Sequence, residues 1–210
     1  MEVSEENNIL SQSIEIKDFL MHINLDIDNE NILDYIYNSK NSFCLSQFPQ
    51  YVSDNDKYNS LEIFYQKYLD GDITKTNFLE CEKKYHKVIQ TLWLYDQVYV
   101  GMYTDLSSYK KSYYAKKNNS LLKKQYKFIN EMLKDHRLLH SINTLGELNV
   151  VMHIGTRDIA PIVLFFKKYE AMIYFSGCSA MLYSQNKGFI DFVKTISLTN
   201  GLYLLKNNLN

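Results

Sequence analysis

Arginine and proline are the scarcest informative residues in this 210-residue chain. There are two of each: Arg137 and Arg157, Pro49 and Pro161. So few prolines leave long helices free to form over most of the length. So few arginines argue against dense bidentate reading of phosphates or base edges, for which the guanidinium fork is the preferred group. Cysteine is rare too, at Cys44, Cys81 and Cys178. An odd count without a Cys-x-x-Cys pair fits three thiols in a reducing compartment better than a disulfide framework. Neither Gly-x-Gly-x-x-Gly nor a Walker motif occurs, so the common nucleotide-cofactor folds lose support and no cofactor is expected. No stretch approaches the roughly 18 apolar residues of a membrane span, and membrane insertion is not expected. The apolar run from Ile159 to Phe166 ends at Lys167 and Lys168. The opening residues, MEVSEENNILSQ, lack the basic and apolar regions of a secretory signal. The expected location is therefore the cytoplasm, of its own cell or of a host cell.

Charge is abundant, and it is sorted by position. Residues 1–82 carry 16 acidic and 5 basic side chains, residues 83–140 carry 4 and 12, and residues 141–210 carry 4 and 6. A formal net charge of −1 conceals these opposed blocks. Such asymmetry points to charged partners, or to one block covering the other. Apolar residues make up 46% of the chain, enough for a substantial core without staples. The 21 lysines and 18 tyrosines fit the codon bias of an AT-rich genome, so tyrosine abundance alone does not signal a stacking surface.

Periodicity predicts helices first and strands later, an α+β class. Ile32, Leu33, Ile36 and Tyr37 fit a helix, and residues 40–57 read as a loop around Pro49. A second helix is expected from Asn59, with Glu62 completing a capping box, to Asp70-Gly71-Asp72. The next has the clearest three- and four-residue steps, through Tyr85, Val88, Ile89, Leu92, Tyr95, Tyr99 and Met102. It is expected to reach Gly101 or beyond and to resume through Tyr114. A turn at Asn118 and Asn119 then leads to a helix from Ser120 to Leu139, forming a long antiparallel helix pair. After Gly146 the texture changes. Leu148–Ile154, Ile162–Phe166, Ala171–Phe175 and Ala180–Tyr183 read as strands with hairpin connections, Phe189–Ile196 as one short helix, and Leu202–Leu205 as a last strand. The expected architecture is a helical region, 1–145, packed on a small, mainly antiparallel β-rich region, 146–210. The two could equally form one continuous domain.

Five constellations could carry chemistry. Lys110, Lys111, Lys116, Lys117, Lys123, Lys124 and Lys127, interleaved with Tyr113 and Tyr114, combine counterion-replacing ammonium groups with rings on which bases could stack. The same pattern also describes the solvated face of an amphipathic hairpin. Asp26-Ile27-Asp28-Asn29-Glu30 resembles a calcium loop only superficially, because Asn31 replaces the required Gly and Tyr37 the bidentate Glu. His136 and His140 are four apart on an expected helix, a weak metal pattern without the Glu of His-Glu-x-x-His. Glu82 and His86 are also four apart, which is not the Glu-x-x-His spacing of carboxylate di-iron bundles; if the two long helices pair, His86 would approach His136 or His140. His153, Arg157 and Asp158 would lie together at a strand end, where a histidine base and an anion-holding arginine are chemically reasonable. Ser176-Gly177-Cys178-Ser179 lacks nucleophile-elbow spacing and reads as a hairpin turn with Gly at positive φ.

The functional expectation is a non-enzymatic intracellular protein that masks or recruits a macromolecule, most simply another protein. A toxin-neutralising immunity protein or a small interaction factor would have this size and charge. Nucleic-acid binding through the Lys/Tyr stretch is one alternative. A small or degenerate enzyme centred on His153, Arg157 and Asp158 is another. No pattern in the chain sets an oligomeric state.

Overall fold

Strand pairing runs across the whole length of the chain. In a computed structural model, which describes residues 13–26, 32–102, 135 and 137–207, eight strands form one antiparallel sheet. They are β1 (Ser13–Glu15), β2 (Ser42–Ser46), β3 (Val98–Met102), β4 (Leu138–Ser141), β5 (Ile162–Phe166), β6 (Ala171–Phe175), β7 (Ala180–Ser184) and β8 (Tyr203–Lys206). Their order is β1-β4-β3-β5-β6-β7-β2-β8. Strands from both sides of Leu145 alternate in it: β3 pairs with β5, and β2 lies between β7 and β8.

Seven helices are found among the described residues: α1 (Ile16–His22), α2 (Ile32–Asn38), α3 (Asn55–Leu61), α4 (Tyr65–Asp70), α5 (Lys75–Trp93), α6 (Leu145–Thr156) and α7 (Lys187–Thr199). The α+β class expected from the sequence is the class observed. Period-two alternation in the central strands explains the layering. Ile162, Leu164 and Phe166 of β5, with Ile173 and Phe175 of β6, pack with Tyr85, Val88, Ile89 and Leu92 of α5. Met152 of α6 and Val193 of α7 join the same core. Val163, Phe165, Met172, Met181 and Tyr183 point the other way, against Ile16, Phe19 and Leu20 of α1 and Ile32 and Ile36 of α2. The sheet is thus covered on both faces.

Four local expectations are corrected. Leu148–Ile154 is helix, not strand. Thr144 accepts from the Glu147 amide at 3.2 Å while the Glu147 carboxylate accepts from the Thr144 amide at 2.9 Å. That reciprocal cap starts α6 and outweighs its β-branched valines. Val98–Met102 is strand, because α5 stops at Trp93 and Asp96 accepts from the amides of Lys168 and Tyr169 in the β5–β6 turn. Leu138–Ser141 is strand β4 rather than the end of a helix. Finally, the expected loop at 40–57 contains β2 and the start of α3, which Asp54 caps instead of Asn59. The expected helix from Ser120 and its turn fall outside the described residues.

Candidate site at the seam of helices α5 and α6

Two helices crossing the same sheet face in opposite directions bring their polar positions together at four-residue intervals. On α5 these are Glu82, His86 and Gln90. On α6 and its C-cap they are Arg157, His153 and Asn149. Residues four apart share a helix face, so each set lines one edge. The pairs meet rung by rung. Arg157 donates from Nε to Glu82 Oε1 at 2.8 Å and from Nη2 to Oε2 at 2.9 Å. The His86 and His153 ring centroids are 4.9 Å apart. Gln90 Nε2 donates to Asn149 Oδ1 at 2.9 Å.

Glu82 anchors the seam. It is 4% exposed, which is exceptional for a carboxylate and tolerable only with partners. The Thr156 hydroxyl lies 2.9 Å from Glu82 Oε1 and 2.7 Å from the Met152 carbonyl, so its single proton is shared between two acceptors. Burial pushes the Glu82 carboxyl up, but the Arg157 hydrogen bonds and charge outweigh it and hold the group below its ordinary value. Burial moves His86 the other way, down to about 4, with the Glu82 charge opposing. Burial also lowers His153, helped by Arg157 and opposed by Glu82. Both imidazoles are therefore shifted toward the neutral form, which keeps one unprotonated nitrogen. His153 Nε2 sits 3.9 Å from Glu82 Oε2. His86 Nε2 is shielded from solvent and has no hydrogen-bond partner among the described residues.

The seam opens to a shallow cleft of about 320 Å³, lined by Leu79, Lys83, His86, Lys87, Gln90 and His153. On the far side of Arg157 a second cleft, about 490 Å³, is bounded by Tyr37, Glu62, Tyr65, Asp158 and Cys178. Arg157 also stands 5.8 Å over the Tyr65 ring.

Of the candidates read from the sequence, His153 and Arg157 converge on Glu82. Asp158 does not join them; it is exposed, with φ at +50°, in the turn after α6. The 176–179 segment is a hairpin turn with Gly177 at φ +64°, as expected. Its Cys178 thiol is buried and is pushed well above the ordinary value by its hydrogen bond with Cys81 and by burial. His140 lies on strand β4, so the helical face expected for it with His136 does not form. His136, together with Lys110, Lys111, Lys116, Lys117, Lys123, Lys124, Lys127, Tyr113 and Tyr114, lies outside the described residues. His86 meets His153, and His140 lies on strand β4. Glu82, Thr156 and Asn149 went unassigned in the sequence, although the Glu82–His86 spacing was visible there. The partner rung was hidden by reading α6 as a strand.

Comparison of the chain with protein-family models, curated proteins and solved structures yields no match. What the seam can do rests on its own chemistry. Among the described residues no helix is long and apolar enough to cross a membrane.

Proposed function

We propose that this protein binds a macromolecular partner, masking or recruiting it rather than transforming a substrate. The reading is carried by one observation: the two covered sides of the sheet lean toward opposite charge. The neighbouring helices α5 and α7 expose Lys75, Lys83, Lys84, Lys87, Lys187 and Lys194 against only Glu80 and Asp191. The α1–α2 side leans the other way only slightly, exposing Glu15, Asp18, Asp26 and Asp34 against Lys17, Lys40 and Arg137. A further acidic pair, Asp70 at the end of α4 and Asp72 in the link to α5, is exposed ahead of the Thr74 N-cap. Opposed faces of this kind orient and accelerate encounters with a complementary surface more than they add affinity.

The partner favoured is a protein with an acidic surface, docked on the lysine face of α5 and α7. An immunity-type masking factor or a recruiting adaptor would both work this way. The test is affinity purification of the intact chain from its source cells at low and high salt. The reading expects a stoichiometric protein partner that dissociates as salt rises and is lost when Lys83, Lys84, Lys87 and Lys194 are all changed to Glu. A chain that purifies alone at every salt concentration overturns it. Nuclease-sensitive nucleic acid in place of a protein overturns it in favour of nucleic-acid binding.

A further inference from the structure

The α5–α6 seam gathers three donors around one point. One ligand atom from each of Glu82, His86 and His153 lies within 4.8 Å of the other two. A pair of hydrogen-bonded core histidines would be the simpler arrangement, but His86 Nε2 is buried and without a partner among the described residues. Leaving such a group unsatisfied is costly, and a ligand at the shared point would remove that cost. We propose that Glu82, His86 and His153 bind one divalent transition-metal ion of the zinc class, through two imidazole nitrogens and one carboxylate oxygen.

The donor set selects the ion. Two imidazoles and one carboxylate suit zinc and its borderline neighbours, whereas calcium and magnesium demand oxygen-rich shells. Tetrahedral bonds of about 2.0–2.2 Å place neighbouring donors about 3.4 Å apart. Closing the triangle from its present size takes up to about 1.4 Å at the widest gap, within reach of side-chain rotation of the half-buried His86 and His153. The ion pair with Arg157 does not consume the carboxylate. Each oxygen has two lone pairs, so Oε2 can accept from Arg157 and still face the metal. Arg157 and Thr156 then act as the outer shell that fixes the carboxylate's orientation, a feature typical of built metal sites. A neutral imidazole loses no proton on binding a metal. Three protein donors leave a fourth position for water, and the cleft beside Lys83 and Lys87 supplies the entry path.

The experiment uses the intact chain, stripped with a chelator and then titrated. Cobalt(II) is followed by its visible absorption, and zinc by competition with a chromogenic chelator. One ion per chain is expected. Thr156→Val is expected to weaken binding about 10- to 100-fold, as outer-shell changes do, and His86→Ala and His153→Ala to weaken it further. Circular dichroism and thermal melts establish that each variant is folded; if an alanine variant is not, His86→Gln and His153→Gln replace it. Absence of stoichiometric uptake overturns the proposal. So does uptake unchanged in both histidine variants, equal uptake of magnesium or calcium, or a thiolate charge-transfer band in the cobalt spectrum.

Discussion

Removing Arg157 should strand a buried negative charge. In Arg157→Met the Glu82 carboxylate loses hydrogen bonds of 2.8 and 2.9 Å and keeps only Thr156. Breaking a buried pair from one side costs roughly 3–5 kcal/mol. The Arg157 side chain is 19% exposed, so water can reach the vacated position, and the cost should fall to about 2–3 kcal/mol. For a chain of this size that corresponds to a melting temperature lower by roughly 4–12 °C. The pH dependence distinguishes this mechanism from simple loss of packing. In the wild type the Glu82 value is depressed on folding, so its contribution is present above the unfolded value and is lost as pH falls through the folded one. Without Arg157, burial dominates and raises the folded value, so the variant is penalised as pH rises through it. The gap between the two proteins should therefore narrow from pH 7 toward pH 4–5, around the roughly 4.3 of an unperturbed glutamate. Urea denaturation in the presence of a chelator, repeated across that range, measures it. The double variant Glu82→Met, Arg157→Met should recover to within about 1 kcal/mol of wild type, because no charge remains unpaired. A single-variant cost below about 1 kcal/mol, or a double variant no better than the single, would mean that Arg157 does not neutralise a buried Glu82 charge.

Two further predictions follow from the packing. A methyl added at Gly155 would lie 2.9 Å from the Phe175 Cβ, so Gly155→Ala should destabilise the protein by about 1–3 kcal/mol, measured by the same urea titration. Burial raises the phenols of Tyr37 and Tyr183 to about 12 and that of Tyr85 well above its ordinary 10. Their contribution to stability is complete below pH 10 and is lost as pH rises toward the folded values. Alkaline melts should show this decline, and the ultraviolet signal of tyrosinate should lag behind that of the unfolded chain.

The C-terminal hairpins were readable because β-branched and aromatic runs are punctuated there by Gly and Lys. The expected Ile162–Phe166 and Ala171–Phe175 coincide with β5 and β6, and Phe189–Ile196 falls inside α7. Strand β3 was hidden because Tyr99 and Met102 continue the helical steps of α5, and Val98–Val100, buried on both faces, show no alternation. Helix α6 was hidden for a related reason. It is apolar around most of its circumference, which blurs its period, although the Thr144–Glu147 cap was present in the sequence. That one misreading concealed the site. With α6 helical, Asn149, His153 and Arg157 fall at the same four-residue interval as Glu82, His86 and Gln90, and the polar rungs align.

The central structural claim is that Glu82, His86 and His153 form one constellation held in place by Arg157. X-ray absorption at the zinc edge of the metal-loaded chain tests it most directly. Nitrogen and oxygen alone are expected at about 2.0–2.2 Å from the metal, with the more distant scattering signature of two imidazoles. A sulfur shell near 2.3 Å, or a shell without imidazole, would contradict the claim.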